Sequence, residues 1–215
     1  RGARYPAYNP IVAGGENACV LHYVENNQQL NNDDLLLVDA GCEYEMYAAD
    51  ITRTFPVSGK FSDEQLAIYK VVLDAMNAAI DMVKPGNHIM QPQEISEKVI
   101  TKGLVKLGLL DGDPEELHKS GAYKEFYMHK IGHWLGLDVH DAGDYVEGEE
   151  YMKFKPGMIT TIEPGIYISS SMDIDDKWKG IGIRIEDDIL VTKDGNENLT
   201  KKVPSDPEEI ESLMS

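Results

Sequence analysis

The sequence is poor in cysteine, in long apolar runs and in positive charge. Only Cys19 and Cys42 occur among 215 residues, so a disulfide framework is excluded and a reducing, cytoplasmic compartment is expected. No apolar run approaches the roughly 18 to 20 residues that a membrane-spanning helix needs, and no membrane partner is expected. Lys and Arg number 20 against 38 Asp and Glu, and this net charge of -18 argues against a nucleic-acid partner.

An initiator methionine is also absent. The chain begins with RGARYP, which is typical of the interior of a protein, and we therefore expect residues 1–215 to be a fragment. The hydrophobic fraction is 42%, and no break in composition divides the chain. These features predict a single domain with one substantial core.

Hydrophobic periodicity predicts strands in two regions, residues 17–57 and 159–191, the first arranged as an antiparallel meander. Between them, Ser62 and Gln65 form a capping box that begins a helix, and the sequence KPG at 84–86 ends it. A second helix is expected from about Pro92 to Leu107. Polar loops are predicted at 110–124, 141–155 and 169–179, and a short terminal helix at 206–214.

Acidic side chains and a histidine interrupt or close several short apolar runs. Burying an isolated carboxylate costs several kcal/mol unless a cation or hydrogen bonds compensate it. Several carboxylates in one domain would also repel one another, which a divalent metal would relieve. A buried site for two metal ions is therefore the leading hypothesis, and its candidate ligands are Asp39, Asp50, His133, Glu163 and Glu186.

Each candidate has a simpler explanation when it is taken alone. Asp39 precedes Ala-Gly and Glu163 precedes Pro-Gly, so either could be a turn residue. Glu186 could form a surface ion-pair ladder with Arg184. Asp50 has no turn chemistry around it, and we expect it on a strand beside that of Asp39, joined by a turn around residues 41–45.

Three of the six histidines, His129, His133 and His140, fall within twelve residues. The spacing of the first two invites comparison with the zinc signature HExxH, but Lys130 stands where the general-base Glu would be, so this signature is rejected. Structural histidines are the simpler interpretation for any one of them. The cluster favours a site that combines metal ligation with proton transfer.

The succession of LLLVDAG, DITRTF, HWLGLDVH, TIEPGIY and RIEDD resembles the pita-bread metallopeptidases, and among them the bacterial aminopeptidase P group. The resemblance runs along nearly the whole chain. It implies an α+β fold in which a curved, mainly antiparallel sheet is covered by helices on its convex face.

The resemblance also implies roles for individual residues. Two divalent ions, expected to be Mn although Co or Zn would fit, would be held by the five candidate ligands, with Asp50 and Glu186 bridging them. Glu163 would in addition move a proton. The other catalytic residues would be His22, His129 and His140, and Arg184 and Tyr167 would support the ligands or substrate.

The activity implied is removal of the N-terminal residue from peptides with proline in second position, by a hydroxide held between the metals. The alternatives are a prolidase acting on Xaa-Pro dipeptides, a relative hydrolysing organophosphates, or a peptide-binding module that has lost catalysis. Methionine aminopeptidase fits less well, because the stretch from RGARYP to HWLGLDVHD matches aminopeptidase P more closely.

Members of this family carry an N-terminal domain and two catalytic-domain helices ahead of RGARYP. Residues 1–215 would then be the catalytic metallopeptidase domain without that segment, with half of the sheet uncovered and apolar. The missing part of the same protein, as a separate chain, is an expected partner, and a homo-oligomer is expected from the family tendency.

Overall fold

The computed structural model describes residues 2–215 and contains an antiparallel β-structure packed against helices. The helices are α1 Asp63–Ile80, α2 Gln91–Lys106, α3 Pro114–Ser120 and α4 Pro207–Met214. The strands are β1 Tyr5–Pro6, β2 Ile11–Gly14, β3 Leu35–Asp39, β4 Cys42–Tyr44, β5 Tyr47–Ala48, β6 Thr52–Pro56, β7 Val146–Glu147, β8 Glu150–Tyr151, β9 Ile159–Ile162, β10 Gly165–Ile168, β11 Ile181–Arg184, β12 Asp187–Val191 and β13 Asn196–Asn198.

Eight of the thirteen strands form two antiparallel halves that meet edge to edge. One half has the order β2-β3-β6, and the other contains β13-β12-β9 and the pair β10-β11. They join where the Glu186 amide donates to the Thr52 carbonyl at 3.0 Å and the Thr54 hydroxyl donates to the Arg184 carbonyl at 3.0 Å. The junction places the end of β11 and the start of β12 beside β6.

Helices α1 and α2 pack against each other and cover the second half of the sheet. Their buried faces join the isoleucines of β9 to β12 in one large core, and Tyr69, Met76, Ile100 and Leu104 are among its fully enclosed members. Both helices were predicted. The capping box of α1 is present as expected, with the Ser62 hydroxyl accepting from the Gln65 amide.

The outer face of the β2-β3-β6 half is less covered. Val12 on β2 is 37% exposed, and its register partner Val38 on β3 is only half-buried. The opposite face of the same strands buries Ile11, Ala13 and Leu37 in a smaller core. A large apolar surface on the sheet was expected from the sequence and stays a prediction, since Val12 is the only large apolar side chain of β2, β3 and β6 that is exposed.

Three local predictions were wrong. Residues 17–23 form no strand, because Gly15 at φ +54° turns the chain into the 3-10 helix Gly15–Cys19. The expected loop at 110–124 contains α3, begun by the Asp113 side chain and Pro114. The expected loop at 141–155 contains the β7-β8 hairpin.

Among residues 2–215, no helix combines the length and apolar character needed to cross a bilayer.

The β4-β5 hairpin turns through two residues with positive φ, Glu45 at +49° and Met46 at +74°. Side chains other than glycine are strained in this region by about 1 kcal/mol. Replacing Met46 by Gly is therefore expected to raise the free energy of unfolding by about 0.5 to 1 kcal/mol, measured by urea denaturation. Replacing Met128 by Gly is the control, because Met128 is exposed but has no positive φ, and this exchange should lower the free energy of unfolding. A loss of stability at both positions would contradict the strain at Met46.

Candidate metal centre

Asp39 and Asp50 lie side by side although eleven positions separate them. Asp39 closes β3, and Asp50 lies two residues before β6, the strand paired with β3. Their connection is the β4-β5 hairpin and not the simple turn expected at 41–45. The Ala40 amide donates to the Ile51 carbonyl at 3.0 Å, so the two carboxylates face the same space.

Tyr8 joins these two carboxylates. Its hydroxyl lies 2.5 Å from Oδ1 of Asp39 and 2.5 Å from Oδ1 of Asp50. One hydroxyl can donate only one proton, so it satisfies one of the two carboxylates, and a proton on the other would supply the second hydrogen bond. Sequence reasoning missed Tyr8, since PAYNP indicates only a turn.

His133 faces the acids through one specific ring nitrogen. Its Nδ1 lies 3.0 Å from the Trp134 carbonyl, which can only accept, so Nδ1 carries the proton. Nε2 faces the acids, 3.5 Å from Asp50 Oδ2 and 3.5 Å from Glu163 Oε1, and in the neutral ring it offers a lone pair. This is the neutral tautomer that binds metal ions.

Glu186 is the most deeply buried acid of the group. It is 1% exposed, and its Oε2 accepts from the Thr52 hydroxyl at 2.6 Å. Possible ligand atoms of Asp50, His133 and Glu186 all lie within 4.8 Å of one another. Thr52 faces the site, while Asp50, which was expected on a strand, precedes β6.

Burial and mutual repulsion shift Asp39, Glu163 and Glu186 toward their protonated forms. Burial, against the attraction of Arg184, raises the pKa of Glu163 to about 7. Burial and then the charges of Glu163, Asp50 and Asp39 hold the pKa of Glu186 well above its ordinary value. Burial also raises the pKa of Asp39. Burial lowers the pKa of His133, but Asp50 and Glu163 raise it overall.

Burying such a cluster of acids costs free energy unless a cation compensates their charge, and the donor atoms suit a divalent cation. Four carboxylates and one neutral imidazole form an oxygen-rich set that fits Mn²⁺ or a similar divalent ion. The residues present therefore fit a metal site.

His129 is held as a neutral proton acceptor near the acids. Its Nδ1 lies 2.8 Å from the Lys130 carbonyl, and its Nε2 lies 2.8 Å from the Tyr167 hydroxyl. Burial lowers the pKa of His129 to about 4, and the charge of Arg184 contributes. At neutral pH the imidazole is therefore uncharged.

Arg184 ties the supporting residues together. It donates to Asp39 Oδ2 at 2.6 Å, to the Tyr167 hydroxyl at 3.2 Å and to the Thr52 hydroxyl at 3.3 Å. Because Thr52 in turn donates to Glu186, the guanidinium fixes acids on both halves of the sheet. The alternative of a surface ion-pair ladder is wrong, since Arg184 is only 4% exposed.

The five candidate ligands, His129 and Arg184 line one cavity of about 720 Å³. His22 and His140 also line it, and the ring of His140 lies 4.3 Å from that of His133. Tyr167 does not line the cavity, but its hydroxyl contacts His129 and Arg184, which do. The apolar part of the lining includes Ile89, Met90, Trp134, Phe154 and Ile162.

Asp188 is a further buried acid that the sequence interpretation did not assign to the site. Its Oδ2 accepts from the Asp50 amide at 3.2 Å, and its Oδ1 has no partner among the described residues. Burial raises its pKa to about 7. The acidic run EDD pointed to this position, but only the fold shows which acid faces the cavity and which lies behind it.

An antiparallel sheet in two halves, with buried acids and an imidazole at its centre, has the donor set of a metal-binding protein. The model of metallopeptidase family M24 matches residues 1–193. The chain belongs to this family.

Individual relatives agree. The chain is 54% identical to the Xaa-Pro aminopeptidase of Haemophilus influenzae and 51% identical to that of Escherichia coli, covering 99% of this chain and 49% and 48% of those proteins. The structure of Pseudomonas aeruginosa aminopeptidase PepP superposes with a TM-score of 0.98 at 56% identity, covering 99% of this chain and 48% of that one.

The chain thus spans about half the length of the curated relatives that it matches. The similarity to aminopeptidase P confirms the expected pita-bread fold.

Proposed function

We propose that residues 1–215 form the catalytic domain of an Xaa-Pro aminopeptidase, which removes the N-terminal residue from peptides with proline in second position. The observation that carries the proposal is the convergence of Asp39, Asp50, His133, Glu163 and Glu186 on one cavity. The names of relatives about 50% identical over the whole chain support the substrate class.

Two divalent ions, which we expect to be Mn²⁺, would neutralise the acids, polarise the scissile carbonyl and activate a water molecule. Asp39, Asp50, His133, Glu163 and Glu186 would hold them. The Nδ1 bond of His133 keeps its ring oriented for this task.

The protein side chains supply proton transfer and orientation. Glu163 lines the cavity with its Oε1 3.5 Å from His133 Nε2, so its carboxylate is placed to accept a proton from the attacking water and return it to the leaving nitrogen. His129 is neutral at this pH, and its Nδ1 is already bonded to the Lys130 carbonyl. A substrate group can therefore bond only to Nε2, which now accepts from the Tyr167 hydroxyl. His140 and His22 line the cavity and are placed to stabilise a developing oxyanion.

The peptide is the proposed partner. Cytoplasmic location is compatible with the free thiols of Cys19 and Cys42. Association with the N-terminal part of the same protein, and into a homo-oligomer, stay predictions.

Turnover of three peptides tests this function. The chain, stripped with chelator and reloaded with Mn²⁺, is expected to release alanine from Ala-Pro-Ala and at least about tenfold more slowly from Ala-Ala-Ala. Metal content is measured on the same sample by elemental analysis. Cleavage of the dipeptide Ala-Pro in preference to Ala-Pro-Ala would instead favour a prolidase, and bound Mn²⁺ without any turnover would favour a binding module.

A further inference from the structure

Arg53 is a fully buried arginine on the side of β6 opposite to Thr52. It is 2% exposed, yet every nitrogen of its guanidinium has an acceptor. The acceptors are the carbonyls of Thr52 (2.9 Å), Glu186 (2.6 Å), Val203 (2.7 Å) and Pro204 (2.9 Å), and Oδ1 of Asp187 (2.7 Å).

Asp187 completes this buried ion pair. Its Oδ1 also accepts from the Thr200 hydroxyl at 2.7 Å, and its Oδ2 accepts from the Asn198 amide at 2.7 Å. An ion pair at 2% exposure is favourable only when such additional hydrogen bonds replace water. The pair is therefore geometrically fixed, and so is the backbone attached to it.

The backbone fixed in this way carries Glu186. The Glu186 amide donates to the Thr52 carbonyl at 3.0 Å, and its own carbonyl accepts from Arg53 at 2.6 Å. Its carboxylate accepts from the Thr52 hydroxyl. Both backbone groups and the side chain of Glu186 are thus held by residues 52 and 53, only two and three positions after Asp50.

We infer that Arg53, through its pair with Asp187, is a positioning residue of the metal centre that sets the separation of Asp50 and Glu186. This inference rests on the proposed function, because both acids are ligands only if metal binds. Arg53 touches neither the cavity nor a ligand side chain, so it acts through the backbone. A planar fork that bonds the carbonyls of Thr52, Glu186, Val203 and Pro204 together cannot be replaced by the single ammonium of lysine.

A purely structural role would consist of anchoring the segment 203–205 to the sheet. Tyr69 provides the matched control, since its hydroxyl donates to the Ser205 carbonyl at 2.9 Å and touches no residue of the site. Tyr69→Phe loosens the same segment, while the bonds around Glu186 stay intact.

The test is Mn²⁺ affinity of the chelator-stripped chain, measured by titration calorimetry, with urea denaturation of the metal-free chain alongside. Arg53→Lys is expected to weaken Mn²⁺ binding by about 10- to 100-fold. Tyr69→Phe is expected to leave the affinity within about twofold while lowering stability. Asp187→Asn, which keeps the side-chain shape, should weaken binding in the same direction and serves if Arg53→Lys does not fold.

The inference is overturned if Arg53→Lys and Asp187→Asn bind Mn²⁺ as the wild type does, or if Tyr69→Phe weakens binding as much as they do. A wild-type chain that binds no Mn²⁺ would instead refute the proposed function itself. The two failures are therefore distinguishable.

Discussion

Glu186→Gln is expected to abolish metal binding and peptide turnover together, while the metal-free protein keeps its stability or gains about 1 kcal/mol. Glu186 is 1% exposed, and burial and the charges of neighbouring acids raise its pKa. Gln has nearly the same shape and can still accept from the Thr52 hydroxyl, but it is a weak ligand for a hard cation. Elemental analysis gives the metal content, and urea denaturation in chelator gives the stability.

Asp176→Asn is the matched control, because it removes one negative charge at a side chain that is 93% exposed. It should leave metal content, turnover and stability unchanged. A Glu186→Gln protein that kept two metal ions and full turnover would refute the assignment of the centre. Loss of turnover with metal retained would refute the role of Glu186 as a ligand.

The candidate ligands of this centre could be proposed from the sequence because a carboxylate in an apolar run is energetically anomalous. Asp39 follows LLLV and Glu186 follows GIRI, and each is buried as that setting implies. Tyr8 and Arg53 carried no such anomaly. Tyr8 meets its partners 31 and 42 positions away, and Arg53 meets all its partners except the adjacent Thr52 carbonyl more than 130 positions away, so only the folded chain relates them.

Helices with a packed face were predicted, and the one without a packed face was not. The bounds of α2 were predicted within about a residue, whereas α1 ends at Ile80, before the stop expected at 84–86. α1 and α2 bury Tyr69, Met76 and Ile100 at helical spacing. α3 buries no side chain, so hydrophobic periodicity is absent. Its signal was the cap, in which the Asp113 carboxylate accepts from the amides of Glu115 and Glu116. Capping chemistry identifies such a helix where periodicity cannot.

Gly41→Ala is expected to lower the free energy of unfolding by at least about 3 kcal/mol and to remove metal binding. A Cβ at this position would lie 1.5 Å from the Ala49 carbonyl oxygen, which is backbone and cannot rotate away. The Ala49 amide also donates a hydrogen bond to the Cys42 carbonyl at 3.0 Å, which holds the same two segments together. If Gly41 and Ala49 moved apart, Asp39 and Asp50 would also separate, because each of these residues lies within two positions of one of the acids.

Gly195→Ala is the control for Gly41→Ala, because no atom lies within 4 Å of a Cβ built there. Its stability should stay within about 0.5 kcal/mol of the wild type. Urea denaturation and calorimetric titration with Mn²⁺ measure both effects for each variant. If Gly41→Ala folded with wild-type stability and bound Mn²⁺ normally, the backbone contact would not be what brings Asp39 and Asp50 to one centre.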